Sequence, residues 1–305
     1  MIKTIGFIGL GSMGFGMAQQ LLKHNFTVRA FDIDTNKAKL LSDQGAIACK
    51  SIKEVCLGAE IIITMLPRDE HVKDVFLSND GVLTFAQKGS LIIEMSTILP
   101  TTSLEIKNQL EKAGLKMIDA PVGRTPEDAR NGTLLIMVGG NRCDYELAVP
   151  VFNAMANKIF YLGAAGSGIQ MKVINNYMSM VSMVLTAETL TMARKAGIKL
   201  NVATEVLQNT VAGRGQININ FPKKVLAGDI TPDFPISLGR KDLSLALKLA
   251  DQLNIPLFLG SVANQIFITA CKQGREQQDC TALLLAIEQL SGLKPSVEAI
   301  EVNHD

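Results

Sequence analysis

Three glycines, Gly9, Gly11 and Gly14, follow the run Ile5-Gly6-Phe7-Ile8 and open a stretch of helical apolar spacing; no other feature narrows the possible folds as far. A strand that passes through G-x-G-x-x-G straight into a helix is the first crossover of a βαβ unit. Gly9 makes the tight turn, Gly11 leaves the backbone bare where a pyrophosphate must approach, and Gly14 lets helix and strand pack closely. The unpaired N–H groups of the helix's first turn favour an anion, so the pattern predicts a dinucleotide site rather than a purely structural turn. Asp32 closes the second strand-like run, about 20 residues beyond the glycines, where an acidic side chain bonds ribose hydroxyls. It favours NAD over NADP, because a 2′-phosphate would be repelled and the next residues, Ile33, Asp34 and Thr35, offer no cation.

The same alternation recurs to about Gly163. Thr27-Val28-Arg29-Ala30-Phe31, Ile61-Ile62-Ile63-Thr64-Met65, Leu91-Ile92-Ile93-Glu94 and Lys116-Met117-Ile118-Asp119 read as buried strands, and Leu134-Leu135-Ile136-Met137-Val138 and Ile159-Phe160-Tyr161 extend the series. Helical stretches between them give the pattern of an α/β domain on a doubly wound, mostly parallel sheet. Ser51-x-x-Glu54 predicts a capping box, Gly45 and Gly114 helix C-termini, and Pro100 a first helical turn. Beyond the break at Gly163, Gly166 and Gly168 the spacing turns helical, with helices expected over 169–196, 202–208, 236–253, 258–273 and 280–290. The chain thus divides into an α/β domain, 1–163, and an all-helical domain, 164–305. The polar stretch 272–279 reads as a solvated connection and the tail 294–305 as poorly ordered.

Lysine and arginine number 30 against 29 acidic residues, a net charge of +1, so no excess field gathers nucleic acid or anionic lipid. Although 47% of residues are hydrophobic, no apolar run reaches the roughly 18 residues a membrane span needs. No secretory leader pattern opens the chain, and a cytoplasmic protein is expected. Five scattered cysteines and the histidines His24, His71 and His304 lack metal-ligand spacing; packing thiols, surface or packing imidazoles and no metal are expected.

Lys172 stands in a stretch, 171–185, whose apolar residues fall on nearly every face of the expected helix. Such a helix is expected to be buried, and an ammonium within it is costly unless paired or employed. Asn175, Asn176 and Ser179 follow at helical spacing, so all four polar groups share one face and can converge on a ligand. A lysine snorkelling to water beside polar surface neighbours is the plainer alternative.

Gly9 to Gly14, Asp119-Ala120-Pro121-Val122 and Lys172-x-x-x-Asn176 together resemble the β-hydroxyacid dehydrogenase family over nearly the whole chain. The resemblance implies a Rossmann domain, a helical second domain, NAD(H) as cofactor, small hydroxy acids or their aldehydes as substrates, and a homodimer or homotetramer. On it, Lys172 is the general acid or base and Asn176 orients it. Ser12, Met13, Leu66 and Thr97 join Gly9, Gly11, Gly14 and Asp32 at the cofactor, and Lys241 of Arg240-Lys241-Asp242 reaches the same region.

Where the family commonly continues D-x-P-V with Ser-Gly-Gly, a neutral cradle for a carboxylate, this chain has Gly123-Arg124-Thr125. An arginine fork supplies paired N–H donors to a strong oxyanion and Thr125 adds a hydroxyl, although a surface loop arginine is the plainer reading. With Lys172-Val-Ile-Asn-Asn-Tyr-Met-Ser179, the segment looks like the sulfolactaldehyde reductase branch of the family. That implies a small anionic aldehyde whose sulfonate meets Arg124, Asn175 and Ser179. Reduction of a carboxylate aldehyde such as tartronate semialdehyde, oxidation of 3-hydroxyisobutyrate, and a non-catalytic NAD-binding sensor or scaffold stay open as alternatives.

Overall fold

The computed structural model describes residues 3–294. Strands β1 (Thr4–Ile8), β2 (Thr27–Phe31), β3 (Ile47–Ala48), β4 (Ile61–Thr64), β5 (Leu91–Glu94) and β6 (Lys116–Asp119) form one parallel sheet in the order β3-β2-β1-β4-β5-β6. The crossovers are α1 (Gly14–Lys23), α2 (Thr35–Ser42), α3 (Ile52–Cys56), α4 (Asp69–Leu77), α5 (Val82–Phe85) and α6 (Pro100–Lys112). Successive side chains of a strand point to opposite faces. Phe7, Ile63, Ile93 and Ile118 accordingly enter one core with Met17 and Leu21 of α1. Ile8, Ile62, Ile92 and Met117 enter a second with Val55 of α3, Phe76 of α4 and Ile106 of α6. Both faces are covered, which is why these strands read as unbroken apolar runs rather than alternating ones.

Local signals hold where the backbone demands them. Ser51 accepts from the Glu54 N–H at 3.2 Å, although the Glu54 carboxylate accepts the Lys50 N–H at 2.9 Å rather than that of Ser51, so only half of the expected capping box forms; Pro100 opens α6, and Gly114, at φ 78°, ends it. β3 and β7 (Val122–Gly123) were invisible as patterns because two residues carry no period. β7 also redirects the last two strand-like runs, β8 (Leu134–Val138) and β9 (Ala156–Tyr161). After Pro121 the chain turns back and β7 pairs antiparallel with β8, so a separate three-stranded sheet β7-β8-β9 forms, with α7 (Pro126–Asn131) and α8 (Arg142–Met155) in its connections.

The 29-residue helix α9 (Ser167–Lys195) starts where β6 ends. The Asp119 carboxylate, the last side chain of β6, accepts the Gly166 N–H at 2.7 Å and the Ile169 N–H at 2.9 Å. A Cβ on Gly168 would stand 2.8 Å from that carboxylate and 2.4 Å from the Met137 carbonyl oxygen, so the chain must be bare there. The described residues form two compact units divided between Met178 and Ser179, inside α9; its first turns pack into the sheet core through Ile169.

The expected burial of α9 is not what the structure shows: Ile174, Tyr177 and Met183 are 59%, 72% and 63% exposed. Periodicity reports which side chains are apolar, and a helix apolar on every face needs more neighbours than its sequence can specify. The second unit continues with α10 (Leu200–Gln208), α11 (Val211–Arg214), α12 (Asn220–Lys223), α13 (Ile236–Gln252), α14 (Phe258–Lys272) and α15 (Leu283–Leu290). Their core holds Val225, Ile236, Ala270 and Leu285. The stretch 272–279 is not a solvated connection throughout. Asp279 is buried and accepts the N–H groups of Asp233, Phe234 and Thr281, because a short acidic side chain can gather backbone donors that have no helix to join. Beyond Lys294 the expected tail lies outside the described residues. Among the described residues no helix is long and apolar enough to cross a membrane.

Asp119→Ala leaves two backbone donors unpaired and the start of α9 uncapped, at a cost of about 1–3 kcal/mol. A urea unfolding curve reads this as a lowered midpoint, and an unchanged midpoint would show that the carboxylate does not hold the helix.

Candidate active site

Strand order reverses between β1 and β4, which opens a crevice at the C-terminal ends of those strands. Gly9, Gly11, Ser12, Met13 and Gly14 from the first turn, Asp32 from the end of β2 and Leu66 beyond β4 line one cleft there, of about 350 Å³. The three glycines differ in what requires them. A Cβ on Gly9 (φ 97°) would stand 2.3 Å from the Met65 carbonyl oxygen, and one on Gly14 would stand 2.0 Å from that of Gly9, whereas one on Gly11 would meet nothing within 4 Å. The fold needs the outer pair; the middle one is bare only toward the cleft. Met13, at the N-cap of α1, makes no side-chain cap bond, so the first turn presents its N–H groups to an incoming anion.

Asp32 is buried, with Oδ2 accepting the Leu10 N–H at 2.7 Å and Oδ1 the Asp34 N–H at 2.8 Å. Each oxygen has a second lone pair for a ribose hydroxyl. Contrary to the expectation of no nearby cation, Lys37 lines the same cleft with Nζ 3.6 Å from Asp32 Oδ1. The signal was present in Asp34-x-x-Lys37: Asp34 caps α2, and one helical turn brings Lys37 back over the strand end. His71, which the sequence assigns to surface or packing, is a second cleft wall that carried no local signal. Thr97 is exposed beyond β5 and is not among the cleft walls, but its neighbour Ser96 accepts the Leu66 N–H through Oγ at 2.8 Å.

On α9, Lys172 is half-buried, and burial pushes its ammonium below the ordinary lysine pKa. Asn175 Nδ2 donates to Asn176 Oδ1 at 3.2 Å, so one asparagine orients the other. Ser179 is exposed on the same helix, at the first position of the second unit. Gly123 is buried in β7. Arg124 follows with φ 80°, and its Nη1 donates to the Thr133 carbonyl and, at 2.7 Å, to Asn157 Oδ1. Thr125 is occupied as the N-cap of α7: its hydroxyl donates to Asp128 Oδ2 at 2.6 Å and accepts the Asp128 N–H. A residue tied into a capping box has little to offer a substrate, a competing role that Thr-Pro-Glu-Asp announces in the sequence. Lys241 is exposed on α13 of the second unit, 3.1 Å from the carboxylate of its neighbour Asp242.

Two family descriptions match the chain: the NAD binding domain of 6-phosphogluconate dehydrogenase over residues 4–163, and the NAD-binding region of NADP-dependent 3-hydroxyisobutyrate dehydrogenase over residues 166–287. The 3-sulfolactaldehyde reductase of Escherichia coli K12 is 37% identical over 97% of this chain and 100% of its own length. This chain belongs to the 3-hydroxyisobutyrate dehydrogenase-like family of β-hydroxyacid dehydrogenases. Another family member, the NAD-dependent L-serine dehydrogenase of Pseudomonas aeruginosa, is 33% identical over 95% of this chain and 100% of its own. The solved 3-hydroxyisobutyrate dehydrogenase of Mycobacterium tuberculosis with L-serine matches with a TM-score of 0.66 and 31% identity, covering 95% of this chain and 99% of that one. As a β-hydroxyacid dehydrogenase the protein is an NAD-dependent oxidoreductase acting on hydroxyl or aldehyde groups, and its cofactor is a nicotinamide dinucleotide.

The contrast between the glycines gives a test of the β-hydroxyacid dehydrogenase cleft. Gly11→Ala is expected to melt within a degree or two of the parent yet weaken NADH binding about tenfold or more, because its methyl enters only the cleft. Gly14→Ala is expected to lower the melting temperature, because its methyl meets backbone. Equal thermal shifts in the two variants would contradict this division of roles.

Proposed function

We propose that this enzyme reduces 3-sulfolactaldehyde with NADH to 2,3-dihydroxypropane-1-sulfonate. The observation that carries the reading is the backbone of Arg124. A φ of 80° lies in the region that favours glycine, which is what the family commonly places there. Holding an arginine in it costs about 1–3 kcal/mol, a cost explained by a task for its guanidinium. Among the described residues that group donates through Nη1, to Thr133 and Asn157, which leaves the Nε–Nη2 edge as the pair of donors for an oxyanion. A sulfonate is always ionised and carries three oxygens, so a fixed cation suits it better than a neutral cradle. Asn175 and Ser179 add donors from α9. The identity to the E. coli 3-sulfolactaldehyde reductase supports the same substrate.

The cleft fits a dinucleotide on its own geometry: a bare Gly11 facing open space, an uncapped helix start and a carboxylate with acceptors to spare. NADH, when bound, supplies a hydride to the aldehyde carbon. Lys172 Nζ gives its proton to the carbonyl oxygen as negative charge develops there and is reprotonated from solvent. Half-burial disfavours the ammonium and so makes it a stronger acid. Asn176, fixed by Asn175, keeps the amine aimed. Asp32 selects NADH, while Lys37 offsets part of the repulsion of a 2′-phosphate, so NADPH serves as a weak substitute. The apolar side chains exposed along α9 suit cover by a second copy in a homodimer or homotetramer.

Steady-state kinetics on sulfolactaldehyde and tartronate semialdehyde side by side test the substrate. Lys172→Ala should lose about 10²–10⁴-fold in kcat while binding NADH normally; Arg124→Ala should mainly raise KM for the sulfonate. Normal turnover by the lysine variant would end the mechanism, and a preference for the carboxylate would end the substrate assignment. The pH profile has a fixed sign. Reduction needs the protonated amine and falls as pH rises through the lowered pKa, in a limb below 10.5, whereas oxidation rises over the same range. A reduction rate flat up to 10.5 would remove Lys172 as the acid.

A further inference from the structure

Glu94 closes β5, between β4 and the edge strand β6 of the parallel sheet, fully buried and beside Asp119 on β6 in register. A carboxyl group in such a place is costly, and burial pushes it up to about 7 against the opposing hydrogen bonds from Ser96 and Thr64, with the Asp119 charge adding to the rise. The hydrogen bonds of its carboxyl lead toward the rim of the cleft through Ser96. Oε1 accepts the Ser96 N–H at 2.9 Å and the Thr64 hydroxyl at 3.4 Å. Ser96 Oγ in turn accepts the N–H of Leu66, a cleft wall, at 2.8 Å. The Glu94 carbonyl accepts the Ala120 N–H at 2.7 Å, at the start of the segment that carries Arg124. Oε2 is buried without a hydrogen-bond partner among the described residues, so the group is not fully satisfied by its surroundings. A core that needed only packing would place an apolar side chain here.

We propose that Glu94 is a positioning residue for the cofactor cleft: through Thr64 and Ser96 its carboxyl fixes the loops after β4 and β5 in one geometry, which sets Leu66 against the nicotinamide dinucleotide. The inference rests on reading the glycine-rich cleft as the cofactor site. What matters is an acceptor at Oε1, not a charge. Glutamine therefore replaces glutamate in function, alanine does not, and loss of the Ser96 hydroxyl cuts the same chain at its second link.

The test uses the full-length protein and NADH alone, with its dissociation constant read from the enhancement of its fluorescence, followed by kcat and KM. Glu94→Ala is expected to weaken NADH about tenfold while kcat at saturating cofactor changes by less than about threefold. Glu94→Gln is expected to restore affinity to within about threefold, and Ser96→Ala to weaken NADH in the same direction by a smaller factor. Folded Glu94→Ala that binds NADH as the parent does, or Glu94→Gln as impaired as alanine, overturns the proposal. If the alanine variant does not fold, glutamine and Ser96→Ala decide: unchanged affinity in the serine variant overturns it. Gly11→Val run in the same assay separates the two readings. Normal NADH binding by that variant sinks the cleft assignment itself, whereas lost binding there beside normal binding in Glu94→Ala sinks only the positioning role.

Discussion

The bond that the chemistry of this molecule hangs on is the one between the Asp119 carboxylate and the start of α9. A helix N-terminus concentrates unpaired N–H groups and partial positive charge, and a carboxylate fixed in a sheet is a rigid partner for it. Ile169, whose N–H is held, lies three residues before Lys172, about 4.5 Å along the axis at 1.5 Å per residue. The proposed acid is therefore referenced to the sheet through less than one turn of helix. The same aspartate ends β6, and the segment leaving it becomes β7 and then Arg124. One side chain thus sets the origin for both the helix bearing the proposed proton donor and the loop bearing the anion-binding candidate. Gly139 and Gly168 are bare on either side of it, since a Cβ on either would press to within 2.8 Å of its carboxylate.

The parallel sheet was legible in the sequence because its strands are covered on both faces, and such strands must be continuous runs of Ile, Val and Leu. Ile61-Ile62-Ile63 shows how little else is needed: its outer members enter one core and its middle member the other. The cofactor turn was legible for a different reason, since glycine is the one residue type that the β1–α1 turn accepts at Gly9 and Gly14. What stayed hidden were contacts between residues distant in sequence. Nothing local to Asp119 says that it caps a helix 47 and 50 residues on, and nothing local to Asp279 says that it gathers backbone donors from 233 and 234. A charge in the sequence reads as exposed by default, and both of these are buried.

The burial of α9 failed as an expectation for a related reason. Composition on a helical wheel measures the demand for cover, and only tertiary or quaternary neighbours supply it. Tyr177, at 72% exposure, stands on the same helix as Ile169, which is fully buried. The helix therefore changes environment along its length without any change in the character of its sequence. Lys172 sits at the transition, half-buried, which is where a lysine can be both shifted in pKa and reachable by a small molecule. A fully enclosed ammonium would have no route to solvent for reprotonation, and a fully exposed one would keep its ordinary acidity.

Charges are placed at the sheet's C-terminal edge with opposite consequences for specificity and fold. Asp32, Glu94 and Asp119 end strands β2, β5 and β6 or follow them directly, and all three are buried carboxylates held by backbone N–H groups. Parallel strands leave donors and acceptors unpaired where they stop, and an acidic side chain at each stop satisfies the donors of the loop that follows. The loops carrying the cofactor and substrate candidates are thereby fixed by acidic side chains that accept hydrogen bonds within the fold. A cation, Arg124, is by contrast exposed and held in an unfavourable backbone conformation. The fold accommodates that substitution at the cost of one strained residue, and the chemistry proposed for Lys172 does not depend on it. On the proposed assignment, substrate choice changes at one loop position while the proposed proton donor and the dinucleotide turn stay as they are.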